Sequence, residues 1–249
     1  MKININHFKK NPLRKPAFAA FLLAALGFSS CSDKNDVAIP DQTVFSIINA
    51  SPGNPEVDFF IDNIKVGKNN PLLIGDNTGY YITNPGSRKA TVKSAGLTNI
   101  LAEFPLVLVK DRVHSIFVVD STENLTTFIN VIDKFQPKKE GTTGNAQVRF
   151  LNLSPGSPEL DLVYEGDTTS FDKRAYKTHS GFKYVPAKTG IKLNLRNTQT
   201  KEIVATLPDI ELKNEEIYSV WSKGVYGTNS GDTTKVFSIK VTRHVNALR

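Results

Sequence analysis

Cys31 is the only cysteine of the 249 residues, and its position indicates a specific chemistry. It follows Ser29-Ser30 at the end of an apolar run, Ala17 to Phe28. Small residues directly before a cysteine resemble the site at which signal peptidase II cuts and the thiol receives a diacylglycerol. The phenylalanine that ends the run departs from the aliphatic residue usual there. We therefore predict lipidation of Cys31, with residues 1–30 as the signal peptide.

The segment before Cys31 has the charge and length of a secretory signal. Residues 1–30 contain five basic residues and no acidic residue. The apolar run has 12 residues, whereas a helix that crosses a bilayer needs about 20. Removal of this segment leaves 26 of the 31 basic residues and all 24 acidic ones, so the net charge falls from +7 to +2. A nearly neutral chain has no general attraction to nucleic acid, and we expect no nucleic-acid partner.

Residues 31–43 are polar and are predicted to form a tether. Their start, Ser32-Asp33-Lys34-Asn35-Asp36, resembles the acidic signal that directs lipoproteins of the Bacteroidetes group to the cell surface. The alternative is a solvated spacer without a signal. In either case we expect a cell-envelope protein, held at the outer membrane by palmitate-type acyl chains that each contribute about 0.8 kcal/mol per buried CH₂.

Residues that could carry catalysis are sparse after Cys31. The sequence holds no G-x-S-x-G, P-loop, G-x-G-x-x-G or H-E-x-x-H motif. His114, His179 and His244 are isolated, and none has a second histidine at metal-ligand spacing. A Ser-His-Asp triad assembled by the fold is the remaining catalytic alternative. We predict no catalytic residue, no cofactor and no metal site, and we do not expect an enzyme.

A duplicated motif divides the chain after the tether into two halves. Residues 49–58 read NASPGNPEVD and residues 152–161 read NLSPGSPELD, with seven of ten positions identical at an offset of 103. A later segment, residues 113–117, parallels residues 217–221. A unit of about 100 residues is large enough to have its own core, so the duplication predicts tandem domains.

Both halves contain short segments rich in Val, Ile, Phe and Thr, separated by turn residues. The class predicted is all-β, with β-sandwich domains at residues 44–135 and 146–249 and a linker at residues 136–145. The predicted strands are 44–49, 57–61, 89–93, 113–119 and 127–132 in the first half, and 146–153, 160–164, 191–195, 202–207, 217–221 and 235–245 in the second.

The repeated opening motif, Asn-x-Ser-Pro-Gly-x-Pro-x-x-Asp, resembles that of the domain of unknown function 4397 family. Gly79-Tyr80-Tyr81-Ile82 and Gly181-Phe182-Lys183-Tyr184, each followed by a turn with proline and glycine, extend the resemblance. It covers about residues 43–245 as two copies. The resemblance implies immunoglobulin-like β-sandwich domains of bacterial envelope and secreted proteins, and it implies no reaction.

The motif residues have a structural and a functional interpretation. The structural one is a turn, in which prolines fix φ and polar side chains bond to nearby backbone groups. The functional one is a cation site made by Asp58 with Asp62, and by Asp161 with Glu165 or Asp167. We predict the structural turn, built by Asn49, Ser51, Pro52 and Asp58 and by the equivalent Asn152, Ser154, Pro155 and Asp161.

Aromatic residues also allow two interpretations. Phe117 and Trp221 occupy equivalent positions of the two halves, and we predict that both pack in the core. Four further rings lie near turns and are either half-buried strand residues or a platform for sugar rings or peptide. These are Tyr80, Tyr81, Phe182 and Tyr184.

Three triplets of Asp followed by Ser or Thr and then Thr resemble the O-glycosylation acceptor of Bacteroidetes proteins. The acceptors would be Ser121, Thr168 and Thr233. All three fall in predicted loops, where a modifying enzyme reaches the chain. These positions are candidate O-glycosylation sites, and the alternative is that such short motifs recur by chance.

These observations favour a noncatalytic cell-envelope module with a structural role or with glycan or envelope protein as partner. One alternative is a solute-binding lipoprotein associated with a transporter, which would need a deep apolar pocket between the domains. Another is an envelope hydrolase, which would need a histidine within hydrogen-bonding distance of a serine or carboxylate.

Overall fold

The computed structural model describes residues 41–53, 56–67, 70–120, 128–133, 143–166, 170–229 and 231–244. These residues form strands and turns and contain no helix, so the predicted all-β class and β-sandwich architecture are confirmed. The predicted signal peptide and most of the predicted tether and linker lie outside the described residues.

The first repeat is a sandwich of two sheets. One sheet has the strand order β5-β1-β8-β9, and the other has the order β3-β2-β6-β7, with β4 paired to β2. The strands are β1 (Thr43–Asn49), β2 (Glu56–Ile61), β3 (Ile64–Val66), β4 (Leu72–Leu73), β5 (Tyr81–Thr83), β6 (Gly86–Ser94), β7 (Ile100–Leu108), β8 (Val113–Val118) and β9 (Phe128–Ile132).

The second repeat has the same plan. One sheet has the order β13-β10-β17-β18, with β14 also paired to β10, and the other has the order β12-β11-β15-β16. The strands are β10 (Asn145–Asn152), β11 (Leu160–Tyr164), β12 (Ser170–Arg174), β13 (Thr178–His179), β14 (Lys183–Pro186), β15 (Lys188–Asn197), β16 (Ile203–Leu212), β17 (Ile217–Lys223) and β18 (Ser238–His244).

A parallel strand pair is repeated at the centre of each sandwich. β1 pairs in parallel with β8, and β10 pairs in parallel with β17. The registers match, because Ile48 lies opposite Phe117 in the first pair and Leu151 lies opposite Trp221 in the second. The sequence duplication is therefore a duplication of topology as well.

The central strands are buried on both faces. Every residue of β1 and of β8 is buried, although a strand on the surface of a sandwich alternates between buried and exposed residues. One face of this sheet packs within its own sandwich through residues such as Phe45, Ile47 and Ile116. The other face packs through Ile48 and Phe117 against the second repeat. The four sheets are therefore layered, and residues 40–249 form one compact unit.

The opening motif makes the same turn in both repeats. Gly53 has a φ of 82° and Gly156 has a φ of 76°, in the left-handed region that glycine adopts at no steric cost. The prolines at positions 52 and 155 directly precede these glycines. This local geometry explains why Pro-Gly recurs at the same offset.

The predicted strands include central strands and also three edge strands, since 127–132 covers β9, 202–207 overlaps β16 and 235–245 covers β18. Residues 160–164 were predicted with the observed bounds, and the predicted 191–195 lies inside a longer strand, β15. The pattern does not predict β7, which Glu103 and Pro105 interrupt, or β12, which has charged residues at three of its five positions. Burial on one side only, broken by polar residues, leaves a weak signal.

We predict that Phe117→Ala lowers the free energy of unfolding by about 3–5 kcal/mol, because the ring is fully buried where the two repeats meet. Trp221 is the only tryptophan, so its fluorescence reports on this contact during denaturant unfolding. The fluorescence and far-UV circular dichroism transitions of the wild type should coincide.

Ile203→Ala is the matched control, since Ile203 is 60% exposed and its truncation should change stability by less than about 0.5 kcal/mol. Equal losses for the two variants, or a fluorescence transition at lower denaturant than that of circular dichroism, would contradict the coupling of the repeats.

Candidate functional site

The interface between the repeats contains a small hydrophobic core of its own. Equivalent residues meet there, since Ile48 and Phe117 come from the first repeat and Leu151 and Trp221 from the second. The rings of Phe117 and Trp221 contact edge to face, with centroids 6.5 Å apart and planes at 71°. Such an aromatic pair contributes about 0.5–1.5 kcal/mol beyond the area that it buries. The prediction that both residues pack in the core described their burial but not that they contact each other.

A buried ion pair lies beside this core. Arg149 of β10 donates through Nη1 to Oδ1 of Asp133 at 2.5 Å, and both side chains are almost fully buried. Ser115 donates to the second carboxylate oxygen of Asp133 at 2.7 Å. The Arg149 guanidinium also lies over the rings of Phe117 and Phe182, at 5.9 and 4.7 Å from their centroids. The first repeat thus supplies the carboxylate and the second the cation.

The hydrogen-bond network continues from Arg149 to a histidine. Arg149 Nε donates to Ser219 Oγ at 2.7 Å, and Ser219 Oγ lies 2.6 Å from Nε2 of His244. Because the guanidinium can only donate, the Ser219 oxygen is the acceptor of the bond from Arg149. Nδ1 of His244 lies 2.9 Å from the hydroxyl of Tyr80, which belongs to the first repeat.

Equivalent positions of the two repeats have diverged within this network. Ser115 and Ser219 occupy the same position of β8 and β17. Their partners Asp133 and His244 both lie at the end of the neighbouring strand. One repeat therefore combines serine with a carboxylate, and the other combines serine with an imidazole. Arg149 bonds to both halves of this arrangement.

Burial shifts the proton affinities of the two titratable groups in opposite directions. Burial raises the pKa of Asp133, although Arg149 and Ser115 oppose that shift. Burial, and then the positive charge of Arg149, hold the pKa of His244 well below its usual value. His244 is therefore neutral at pH 7.

The Ser219–His244 pair has the geometry that a hydrolase would need, but its surroundings differ from those of an active site. Ser219 is fully buried and His244 is 3% exposed, so a substrate does not reach them. The Ser219 oxygen accepts a hydrogen bond from Arg149, which lowers its nucleophilicity. The arrangement is chemically suited to holding the two repeats together.

A second polar contact joins the repeats near the opening motif. The carboxylate of Asp120 accepts hydrogen bonds from the Tyr176 hydroxyl at 2.5 Å and from Nζ of Lys177 at 2.8 Å. Burial, followed by the hydrogen bond to Asp120, raises the pKa of Tyr176. The backbone carbonyl of Asp120 accepts a hydrogen bond from Ser51 of the motif. The motif thus lies next to the repeat interface.

The asparagines of the motif tie neighbouring loops to it. Asn49 accepts from the Ser51 N–H and donates to the Leu72 carbonyl, each at 3.0 Å. Asn152 donates to the carbonyls of Pro158 and Arg174 at 3.1 and 2.9 Å. Both asparagines are fully buried, which requires that their amides be bonded.

The remaining motif residues lie at the same turns. Ser154 N–H donates to Ser222 Oγ at 3.1 Å, and the Pro155 carbonyl accepts from Tyr226 N–H at 3.1 Å. Pro52 is buried in the first turn. Each motif turn therefore contacts a loop or strand far along the chain.

The two aspartates of the motif bond to loops and strands other than the turn that precedes them. Asp58 accepts from Gly96 N–H at 3.2 Å and pairs with Lys65 at 2.7 Å. Asp161 accepts from Lys173 N–H at 3.0 Å and pairs with Arg196 at 2.8 Å. The prediction that these aspartates hold the motif turn is wrong, because each side chain bonds to neighbouring strands and loops of the sheet.

The cation-site alternative has little support from these positions. Burial alone would raise the pKa of Asp161, but hydrogen bonds from Lys173, Thr198 and Arg196 together hold it below the usual value. Asp62 pairs with Arg88, and Glu165 pairs with Lys192. Within the described residues, no group of three or more His, Cys, Asp or Glu is placed to bind a metal ion. Asp167 lies outside those residues.

The other histidines have local roles. His114 accepts from Val109 N–H through Nε2 at 3.0 Å and contacts Asn130 Oδ1 at 2.8 Å. Its equivalent, Tyr218, accepts in the same way from Lys213 N–H at 3.1 Å. Both side chains therefore fix the loop that precedes their strand. The exposed His179 contacts the carbonyl of its neighbour Ser180.

The four turn aromatics do not form a shared platform. Tyr81 stacks on Phe45, with centroids 5.7 Å apart. The Tyr80 hydroxyl forms a hydrogen bond with His244. Phe182 is 8% exposed, and its ring makes a T-shaped contact with the ring of the same histidine. Tyr184 is half-buried in β14. Tyr81 therefore packs in the core, and Tyr80 and Phe182 contact residues at the repeat interface, so these three rings are not grouped for ligand binding.

Of the predicted modification sites, only Thr233 is among the described residues. It is exposed in the turn before β18, next to Asp232 and Thr234, which bond to each other at 2.7 Å. Cys31, Ser121 and Thr168 lie outside the described residues, and their modification stays a prediction. No helix among the described residues has the length and apolarity to cross a membrane.

The sequence does not predict that Asp133, Arg149 and Ser219 lie together in one network. These residues are far apart in the sequence, and each has a common residue type without a motif. The available signal was the alignment of the repeats, which sets Arg149 against Ser46 and leaves an arginine inside a strand whose other positions are mainly apolar. A charged residue at such a position predicts a buried partner.

The fold is that of a duplicated β-sandwich protein. Residues 44–163 match the family model DUF4397, described as a domain of unknown function, which confirms the predicted resemblance. The matched segment runs from β1 through most of β11.

Other comparisons add little. No curated protein matches the chain. Among solved structures, the chain is similar to a family 26 carbohydrate-binding module, CBMbc of Eubacterium rectale Amy13K in complex with maltoheptaose. The identity is 8% and the TM-score is 0.24, over 83% of this chain and 98% of that one. A similarity at this level supports no inference about ligand.

We predict that Arg149→Met lowers the free energy of unfolding by about 3–5 kcal/mol, because it leaves the Asp133 carboxylate buried without its cation. Chemical denaturation measures the change. The double variant Asp133→Leu/Arg149→Met removes both charges and should recover most of the loss. If the double variant were no more stable than Arg149→Met, the loss would come from packing and not from the unpaired charge.

We predict that His244 makes the protein less stable as the pH falls from 8 to 5. In the unfolded chain the histidine has a pKa near 6.5 and binds a proton in this range, whereas His244 in the folded chain stays neutral because its pKa is lower. The free energy of unfolding therefore decreases as the pH falls. The raised pKa of Asp133 acts with the opposite sign. Among the described residues, Arg149, Ser219, Tyr80 and Phe182 act on or contact His244.

Denaturation midpoints of the wild type and of His244→Gln, measured across this pH range, isolate the histidine, because Asp133 contributes to both proteins. The wild type should show the steeper dependence. Identical dependences would mean that the pKa of His244 is the same in the folded and the unfolded protein, and would contradict the prediction.

Proposed function

We propose that this protein is a noncatalytic lipoprotein of the cell envelope, anchored in the outer membrane through Cys31. Its duplicated body serves as an interaction or structural module with glycan or an envelope protein as partner. Support for the anchor comes from the signal-like segment, the small residues before Cys31 and the polar tether. The acidic start of the tether further favours the outer surface of the cell.

The interface between the repeats is the observation that carries the proposed role of the body. Phe117 and Trp221 fill the space between the repeats, and both are fully buried. The Asp133–Arg149 pair adds a polar bond across the same interface. Two domains joined through a common core keep a fixed orientation, which suits holding and presenting better than opening and closing.

The same observation argues against the solute-binding alternative. A solute-binding lipoprotein would place a deep apolar pocket between its domains. Here the apolar part of that interface is occupied by the protein's own side chains. The groove beside it is lined by polar and charged residues such as Asp76, Asn77 and Arg243.

An envelope hydrolase is the remaining alternative, and Ser219–His244 is the pair that it would use. Their burial and the bond from Arg149 favour a structural role for the pair. The noncatalytic assignment therefore remains the proposal.

We predict that the full-length protein expressed with its own amino terminus incorporates a fatty-acid label, such as alkynyl palmitate, and sediments with membranes. Cys31→Ser should abolish both, because the serine hydroxyl does not replace the thiol that receives the diacylglycerol. Ser30→Ala is the matched control and should behave as the wild type, since alanine is also small. An unlabelled wild type, or label that persists in Cys31→Ser, would refute the anchor.

A further inference from the structure

A groove opens where the two repeats adjoin. It lies between the loop from β4 to β5 of the first repeat and β18 of the second, with a volume of about 410 Å³. Gly75, Asp76 and Asn77 line one side, and Lys240 and Arg243 line the other. The groove is distinct from the buried Ser219–His244 network, although both adjoin β18.

Two lysines lie together on the side of the second repeat. Lys223 pairs with Ser238 and Trp221 pairs with Lys240, so both lysines lie on one face of β17 and β18. Both are partly buried. Within the described part of the chain, neither makes an ion pair with a carboxylate.

The Lys240 side chain extends into the groove. Its Nζ lies against Gly75, where an added Cβ would be 3.2 Å from the nitrogen. Gly75 has a φ of 94°, so the glycine suits both the backbone conformation and the close approach of the lysine. The ammonium group is therefore positioned by a neighbouring loop.

The first repeat has apolar residues at the equivalent positions. Val119 corresponds to Lys223, and Ile129 corresponds to Lys240, because Phe117 pairs with Ile129 as Trp221 pairs with Lys240. Val119 and Ile129 belong to the apolar interface cluster. The two lysines are thus a feature of the second repeat alone.

The positive charge of this pair is not neutralised within the described protein. Burial, and then repulsion from Lys240, lower the pKa of Lys223. Arg243 is already paired with Glu216 through two nitrogens. Lys240 therefore remains as the cation available to an anionic ligand.

We infer that this groove binds an acidic saccharide, with the carboxylate or sulfate of the sugar at Lys240. Asp76 and Asn77 supply an acceptor and an amide for the sugar hydroxyls, and Lys223 contributes longer-range attraction. The exposed carboxylate of Asp76 disfavours a densely charged polyanion, which is why a sugar with both hydroxyls and a single acid group per residue fits better. The inference rests on the proposed binding function and specifies its ligand class.

The test measures binding of oligogalacturonate, a sulfated oligosaccharide and a neutral oligosaccharide of equal length to the full-length protein in mild detergent. We expect one of the acidic ligands to bind, more weakly at high salt, and the neutral ligand to bind at least about tenfold more weakly. Comparing oligogalacturonate with the sulfated oligosaccharide shows whether the site prefers a carboxylate or a sulfate.

Variants locate the site. Lys240→Met should weaken acidic-ligand binding at least about tenfold, and Lys240→Arg should retain most of it. Lys192→Met is the matched control, because Lys192 is an exposed lysine of the other sheet, paired with Glu165, and should leave binding unchanged. Circular dichroism and Trp221 fluorescence verify that each variant is folded.

Three results would overturn the inference: no binding of either acidic ligand, equal binding of the neutral ligand, or binding that is insensitive to Lys240→Met. Binding of the neutral ligand without an effect of Lys240→Met would leave the proposed function in place and remove only the acidic-saccharide site. Whether the lipid anchor exists is measured separately, by whether the wild-type protein sediments with membranes.

Discussion

The packing of one sheet against its duplicate is the constraint on which the rest of this structure depends. Each repeat presents a sheet whose inner face fills its own sandwich and whose outer face is apolar at Ile48 and Phe117 or at Leu151 and Trp221. A lone repeat would expose that second face to water, at a cost of about 25 cal/mol for each Å² of apolar surface. Contact between equivalent faces removes this exposure, as in an isologous dimer, but within one chain.

This constraint also explains the polar residues at the interface. Arg149 enters a buried environment, and its charge is tolerated there because Asp133, Ser219 and two aromatic rings surround it. An apolar contact alone allows several relative orientations of the two repeats. An ion pair with fixed donors and acceptors allows only one of them. The aromatic pair thus provides burial, and the Asp133–Arg149–Ser219–His244 network determines how the two repeats are aligned.

The duplication allows the two copies to diverge where the shared fold does not need them alike. Ser115 and Ser219 are retained, but one bonds to a carboxylate and the other to an imidazole. Val119 and Ile129 belong to the apolar cluster, whereas their equivalents are Lys223 and Lys240, of which Lys240 lines a polar groove. The first repeat therefore has only apolar residues at positions where the second repeat has two lysines.

The sequence by itself determined the duplication, the all-β class and most buried strands, because Pro-Gly turns and runs of β-branched residues are local properties. It also determined that Phe117 and Trp221 are equivalent and apolar. Only the tertiary structure decided that they contact each other, that Asp58 and Asp161 hold loops across the sheet, and that Asp133, Arg149 and His244 form one network. Those contacts join residues from different strands and different repeats, and no spacing along the chain encodes which sheet faces meet.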